Sequence, residues 1–217
     1  MEGIILKDSV SQSVIKRLPR YYRFLGELDM QNVTRISSRE LSEKMCITAS
    51  QIRQDLNCFG GFGQQGYGYN VKALQMEIGK ILGLTVKNKT ILIGAGNLGK
   101  AIVAHINFNK RGFELIGIFD KDTAVCGCDL SGIEVTNVDE LEEFCKENSP
   151  VAAVLCIPKT ASQEIANRLV SYGIKGFWNF SHYDLRLDYE DIVVENVHLG
   201  DSLMVLSYGL HNILNEE

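Results

Sequence analysis

Thr90 to Ile106 reads TILIGAGNLGKAIVAHI, and this stretch decides the fold. An apolar strand, Ile91 to Ile93, runs into Gly94-x-Gly96-x-x-Gly99, and a helical segment carrying Ala101, Ile102 and Ile106 follows. That order is what a phosphate-binding turn requires. The first glycine makes the tight turn, the second leaves room for a pyrophosphate, the third lets helix and strand pack closely, and the helix amides then point at the anion. The next apolar run, Glu114 to Phe119, ends in Asp120, twenty-six residues past Gly94. A carboxylate there accepts hydrogen bonds from ribose hydroxyls and favours NAD(H) over NADP(H), although Lys121 beside it weakens the exclusion of a 2′-phosphate.

Downstream, strand-like and helical segments alternate: Ile133 to Thr136, a helix over Asp139 to Glu147, VAAVLCIP at Val151 to Pro158, a helix over Ala161 to Tyr172, GFWNF at Gly176 to Phe180, and Ile192 to Val197. Such alternation predicts a doubly wound parallel sheet of the Rossmann kind.

Upstream lies the same glycine spacing in GFGQQGYGY, Gly61 to Tyr69, but a helix precedes it rather than a strand. A protein-kinase glycine loop fits no better, because Gly66 is followed by Tyr67, Gly68 and Tyr69. Phe59, Phe62, Tyr67 and Tyr69 suit the strands of a β-hairpin, with Gly63 to Gly66 supplying the turn. The helix before it opens at Thr48-Ala49-Ser50-Gln51, and a shorter one opens at Ser37-Ser38-Arg39-Glu40; both read as capping boxes. Leu41, Met45, Ala49, Ile52 and Leu56 point inward, while Ser50, Arg53, Gln54 and Asn57 point outward. This is a helix-turn-helix, and the hairpin after its second helix reads as a wing. A first helix over Ser11 to about Leu28, with Pro19 inside it, precedes the motif, and a helix over Val71 to Leu84 closes the half.

The chain has 217 residues, 45% hydrophobic and 23% charged, which is ordinary soluble composition. Residues 1–80 carry a net charge of +3 and the remainder −8, an asymmetry that suggests two domains with different partners. No run approaches the length of a membrane span and the first residues lack a signal-peptide pattern, so the expected location is cytoplasmic. The six cysteines are scattered, with only Cys126 and Cys128 close, as C-x-C; reduced thiols and no metal site are expected. His105, His182, His198, Cys156 and Lys159 are the candidates for acid-base work, but none stands in a recognisable catalytic constellation, and no substrate domain is present. The combination reads as a sensor rather than an enzyme.

With both halves in view, the sequence closely resembles the Rex family of bacterial redox-sensing transcriptional repressors. The matching blocks are SSRELSEKMCITASQIRQDLNCFGGFGQQGYGYNV, ILIGAGNLGKAI, FELIGIFD, GIKGFWNFS and VVENVHLGDSL, together spanning roughly residues 5 to 215. The resemblance implies an α/β chain with an N-terminal winged helix-turn-helix domain at 1–84, a Rossmann-like NAD(H)-binding domain at 85–200, and a C-terminal helix at 201–217 exchanged within a homodimer. It also implies binding to pseudo-palindromic, A·T-rich operator DNA, release by NADH and competition by NAD⁺. The expected cofactor contacts are Gly94, Ala95, Gly96, Asn97, Leu98, Gly99, Asp120, Lys121, Ile157, Pro158 and Asn179. Those for DNA are Ser38, Arg39, Thr48, Ser50, Gln51, Arg53, Gln54, Gln64, Gln65 and Tyr67. Some family members carry a tyrosine at the position of His105 and an aspartate at that of His198, positions that help couple nicotinamide state to closure; others have basic residues in place of Gln54 and Gln65. The alternatives are an NAD-dependent oxidoreductase with an appended interaction domain, and a DNA-binding regulator answering to coenzyme A or another nucleotide.

Overall fold

The computed structural model describes residues 10–60, 62–64 and 67–215. It divides the chain into two compact units, Met1–Thr85 and Val86–Glu217.

In the first unit, α1 (Gln12–Met30) buries Val14, Leu18, Tyr21, Leu25 and Leu28 on one stripe, and Pro19 sits exposed within the helix. A short strand β1 (Arg35–Ile36) leads to α2 (Ser38–Met45), a three-residue turn and α3 (Ala49–Asn57). Ser37 caps α2 by a full capping box, accepting from the Glu40 amide while the Glu40 carboxylate accepts from the Ser37 amide. At α3 only half of the expected box forms. Thr48 accepts from the Gln51 amide, but the Gln51 side chain turns to Asp55 instead of reaching back to Thr48. Two strands, β2 (Gly63–Gln64) and β3 (Gly68–Asn70), follow, and the sheet runs in the order β1-β3-β2, antiparallel throughout.

The hairpin is therefore shorter than the aromatic pattern suggests. Phe59 and Phe62 pack half-buried on the core outside the strands, and Tyr67 lies in the turn. Gly68 has no room for a side chain: it holds φ +68° with Ile36 O only 2.7 Å from where a Cβ would stand. Helix α4 (Val71–Ile81), capped by Asn70, closes a core built on Leu18, Tyr21, Leu25, Leu41, Met45, Ile52, Leu56, Leu74 and Ile78. Four helices over a small sheet with one strand pairing back to β1 make a winged helix-turn-helix.

The second unit contains β4 (Asn88–Ile93), α5 (Asn97–His105), β5 (Phe113–Asp120), β6 (Asp129–Leu130), β7 (Ile133–Asn137), α6 (Leu141–Asn148), β8 (Ala152–Leu155), α7 (Lys159–Ser171), β9 (Gly176–Asn179), β10 (Val193–Asn196) and α8 (Leu199–Asn215). The sheet order is β10-β9-β8-β4-β5-β7-β6. All neighbours are parallel except β6 with β7, whose two-residue connection Ser131-Gly132 has positive φ at both positions, as a type I′ hairpin needs. This antiparallel edge is an addition to the expected all-parallel sheet; two strand residues are too few to leave a periodic signal. One face buries Ile91, Ile93, Phe119, Ala153, Leu155 and Phe177 under α6 and α7, and the other buries Leu92, Ile118, Val135 and Val154 with Ile102 of α5.

Helix α8 has no buried residue. Leu203, Leu206, Leu210, Ile213 and Leu214 are each at least half exposed. The stripe is not packed on its own domain.

Candidate nucleotide and nucleic-acid sites

Chain order reverses between β4 and β8, both of whose neighbours diverge from there, so the crevice at their carboxyl ends is the switch point where doubly wound folds bind ligands. The loop Gly94 to Gly99 lies there. Gly94, at φ +101°, has the Cys156 carbonyl oxygen 2.5 Å from a would-be Cβ, so the β4 and β8 loops touch through bare backbone. A Cβ on Gly99 would come within 2.0 Å of Gly94 O, which enforces the close start of α5. Gly96 differs: nothing of the protein lies within 4 Å of its would-be Cβ. The fold does not need that space, and a phosphate approaching the first turn of α5 does.

Asp120 ends β5 beside this loop. Its carboxylate accepts from the Ala95 amide at 2.6 Å and from the Asp122 amide at 2.9 Å, one oxygen to each. It thus braces the turn, and each oxygen retains a lone pair for a ribose hydroxyl. Asn97 and Leu98 begin α5, Lys121 is exposed just past Asp120, and Ile157 and Pro158 lead into α7 across the crevice. Asn179 is placed otherwise. Fully buried, it donates to Tyr183 O and to Asn196 Oδ1 and accepts from both the amide and the hydroxyl of Ser181. All four of its hydrogen-bonding positions are filled by protein, so it ties the ends of β9 and β10 together and has no polar group left for a cofactor.

Burial pushes the Cys156 thiol up to about 12 and the Cys145 thiol up to about 11, which keeps both protonated at neutral pH. The rings of His182 and His198 stack on one another, centroids 5.5 Å apart. His105 ends α5 on the surface. Among the described residues no three metal-ligating side chains converge, and no helix is long and apolar enough to cross a membrane. A mainly apolar cavity of about 300 Å³ opens at the other end of the sheet, lined by Phe108, Phe113, Val154, Trp178 and Val193. None of the residues Gly94 to Gly99 lines it.

In the winged unit, Arg39, Thr48, Ser50, Arg53 and Gln54 are exposed, and Ser38 is half-buried. Arg53 donates to the Ser38 hydroxyl at 3.1 Å, bringing the start of α2 and the middle of α3 into one surface. Tyr67 is 69% exposed, with the Arg35 guanidinium over its ring and donating to its carbonyl. Of Gln64 only the backbone is described, in β2, and Gln65 lies outside the described residues. Gln51 is half-buried, its amide donating to Asp55 Oδ1.

Two residues here escaped the sequence reading. Arg35 gave no signal because its partner, the wing tyrosine, is set by pairing across β1 and β3. Asp55 hid on the inward face of α3, at a position where an apolar residue is the default.

A winged helix-turn-helix joined to a Rossmann fold with a phosphate-ready turn defines a class: DNA-binding regulators that carry a nucleotide domain. The comparisons with known proteins agree. Residues 9–57 match the family described as "Putative DNA-binding protein N-terminus", and residues 85–183 match "CoA binding domain". The redox-sensing transcriptional repressor Rex of Clostridium perfringens is 53% identical over 206 residues, covering 95% of this chain and 97% of its own. That of Thermoanaerobacter pseudethanolicus is 55% identical over 205 residues, 94% of this chain and 91% of its own. Among solved structures, RSP, a Rex-family repressor, in complex with β-NAD⁺ and operator DNA matches with TM-score 0.88 at 53% identity, covering 97% of each chain. RSP in complex with β-NADH matches with TM-score 0.87 at 50% identity, covering 97% of this chain and 99% of the other. The chain belongs to the Rex family of redox-sensing transcriptional repressors.

Proposed function

We propose that this chain acts in the cytoplasm as a homodimeric repressor that holds pseudo-palindromic, A·T-rich operator DNA through its winged heads. NADH releases it and NAD⁺ competes, so that transcription follows the NADH/NAD⁺ ratio. The observation that carries the reading is the glycine loop itself: a turn whose middle glycine faces open space at the start of α5, braced by Asp120, in a chain half identical to RSP, which binds both nicotinamide forms.

Gly94 to Gly99, with Ala95, Asn97 and Leu98, hold the pyrophosphate; Asp120 takes the adenosine ribose; Lys121, Ile157 and Pro158 border the site. On the DNA side Arg53, Gln54 and Ser50 face the major groove, Ser38, Arg39 and Thr48 meet the backbone, and Tyr67 lies along the wing. The apolar stripe of α8, uncovered on its own domain, supports exchange of that helix between the two subunits. At the crevice burial keeps the thiol of Cys156 protonated, which speaks against that cysteine as a nucleophile and is in keeping with a sensor.

NADH can change DNA affinity only by binding the DNA-free form more tightly, and such couplings are typically about 1–3 kcal/mol. The test is fluorescence anisotropy of a labelled A·T-rich palindromic duplex at fixed salt, titrated with NADH and then NAD⁺. Release by NADH that NAD⁺ reverses is expected. Binding indifferent to both but sensitive to coenzyme A would replace the cofactor assignment with the one that the residues 85–183 family match suggests. Asp120→Ala should weaken NADH by about tenfold or more, the size of one or two charge-assisted hydrogen bonds, and leave operator binding without cofactor unchanged.

A further inference from the structure

Among the described residues, Asp55 is the one carboxylate that is wholly buried. It lies on the inward face of α3 with Ile52 and Leu56, where a charge has to be satisfied completely or not placed at all. It is satisfied completely. Arg17 Nε donates to Oδ2 and Arg17 Nη2 to Oδ1, both at 2.7 Å; the Tyr21 hydroxyl donates to Oδ2 and Gln51 Nε2 to Oδ1, both at 2.8 Å. Each oxygen receives two bonds, which uses all four lone-pair directions of the carboxylate.

The donors come from two helices in matched spacing. Arg17 and Tyr21 are one turn apart on α1, and Gln51 and Asp55 one turn apart on α3. Apolar packing by Ile52 and Leu56 sets how close α3 lies to the core, but side chains of that kind tolerate small rotations and slides. A planar guanidinium fork does not, because both of its bonds must align with one carboxylate. Buried ion pairs add little net stability over apolar replacements, and their best-attested role is to select one arrangement among several close ones. Here the arrangement selected is the rotation of α3 about its own axis. That rotation aims Ser50, Arg53 and Gln54, all exposed on the opposite face, and base readout needs donors and acceptors placed to within about half an ångström. Gln51, on the other hand, is half-buried and spends one of its two amide hydrogens on Asp55, which ties its side chain to the carboxylate rather than leaving it free to swing toward a base.

We propose that Asp55, gripped by Arg17 and Tyr21 of α1, is the positioning residue that sets the recognition helix α3 for sequence-specific DNA binding, and that Gln51 belongs to this clamp and reads no base. The proposal rests on the DNA-binding function given above.

The test compares an operator duplex, selected by the full-length chain from a randomised palindromic pool, with a scrambled duplex of equal length, by anisotropy across a salt series. Asp55→Asn should weaken operator binding by about tenfold, as for one lost charge-assisted hydrogen bond, and leave scrambled-DNA affinity and its salt slope within about twofold. Tyr21→Phe, which keeps the ring and its packing, should act in the same direction by about threefold and gives the answer if the asparagine variant does not fold. A domain that is merely destabilised loses active protein and weakens both duplexes equally; an unchanged operator-to-scrambled ratio in both variants overturns the clamp. Gln51→Met should reduce affinity evenly across operators carrying single base changes, and a loss confined to one base position overturns its assignment. If the unsubstituted chain selects no sequence from the pool, the DNA-binding reading fails first and takes the clamp with it.

Discussion

Gly61 to Gly66 and Gly94 to Gly99 share one spacing, G-x-G-x-x-G, and belong to different physics. The first follows helix α3 and gives way to a wing strand in which Gly68 is needed because its φ is positive and the Ile36 carbonyl stands against it. The second follows strand β4 and opens α5, and its glycines are needed for contact between loops, contact between strand and helix, and free space. A glycine pattern therefore states that backbone must come close to something; the elements on either side state to what.

Substitutions can separate these uses. The largest effect should come from Gly99→Val. With Gly94 O only 2.0 Å from the new Cβ, the turn and the start of α5 cannot both survive, and we expect a loss of about 3 kcal/mol or more, a fall in Tm of roughly ten degrees and no measurable NADH binding. A variant with normal Tm would show that close packing is not the reason for this glycine. Next, Gly68→Ala combines left-handed φ with a 2.7 Å clash and should destabilise the winged unit by about 2 kcal/mol, weakening DNA binding while the NADH affinity of the second unit stays as it was. Coupled loss of both activities would break the contrast between the two clusters.

Gly96→Ala sharpens it further. A methyl group there meets nothing of the protein, so denaturant midpoints should not move, yet NADH should bind about tenfold more weakly because the methyl takes the space meant for the pyrophosphate. Unaltered titration by fluorescence would count against the loop as the phosphate seat. The smallest effect is expected outside both clusters, at the turn between α2 and α3. Cys46 holds φ +52° without being glycine, and Cys46→Gly should raise stability by about half a kcal/mol through relief of that strain, readable as a small shift in urea midpoint.

How far the chain could be read without its structure varies from element to element. Thr90 to Ile106 announced strand, turn and helix because local periodicity and glycine geometry act over a few residues. The Ser37 box was legible for the same reason: its two bonds span four positions. Gln51 looked like the matching half of a second box, and would have been one had a buried carboxylate on the same helix not offered its amide a stronger acceptor. Asn179 looked available to a cofactor since it ends a strand at the binding edge, and its four bonds to the loop and to β10 could not be foreseen. The two strand residues of β6 were too short to register, and Arg35 was unremarkable until the wing folded over it.

By itself, then, the sequence determined the order of the longer elements, the pairing of a winged head with a doubly wound nucleotide fold, and which glycine cluster stands between a strand and a helix. These follow from hydrophobic period, caps and turn residues, all of which are local. Tertiary structure alone decided which polar side chains are free to meet a ligand and which are consumed in holding the frame, and that the stripe of α8 finds no cover on its own domain. The reason is physical: a buried donor or acceptor takes its partner from whatever the fold brings within about 3 Å, and that partner can be any distance away in the chain, as Arg17 is from Asp55.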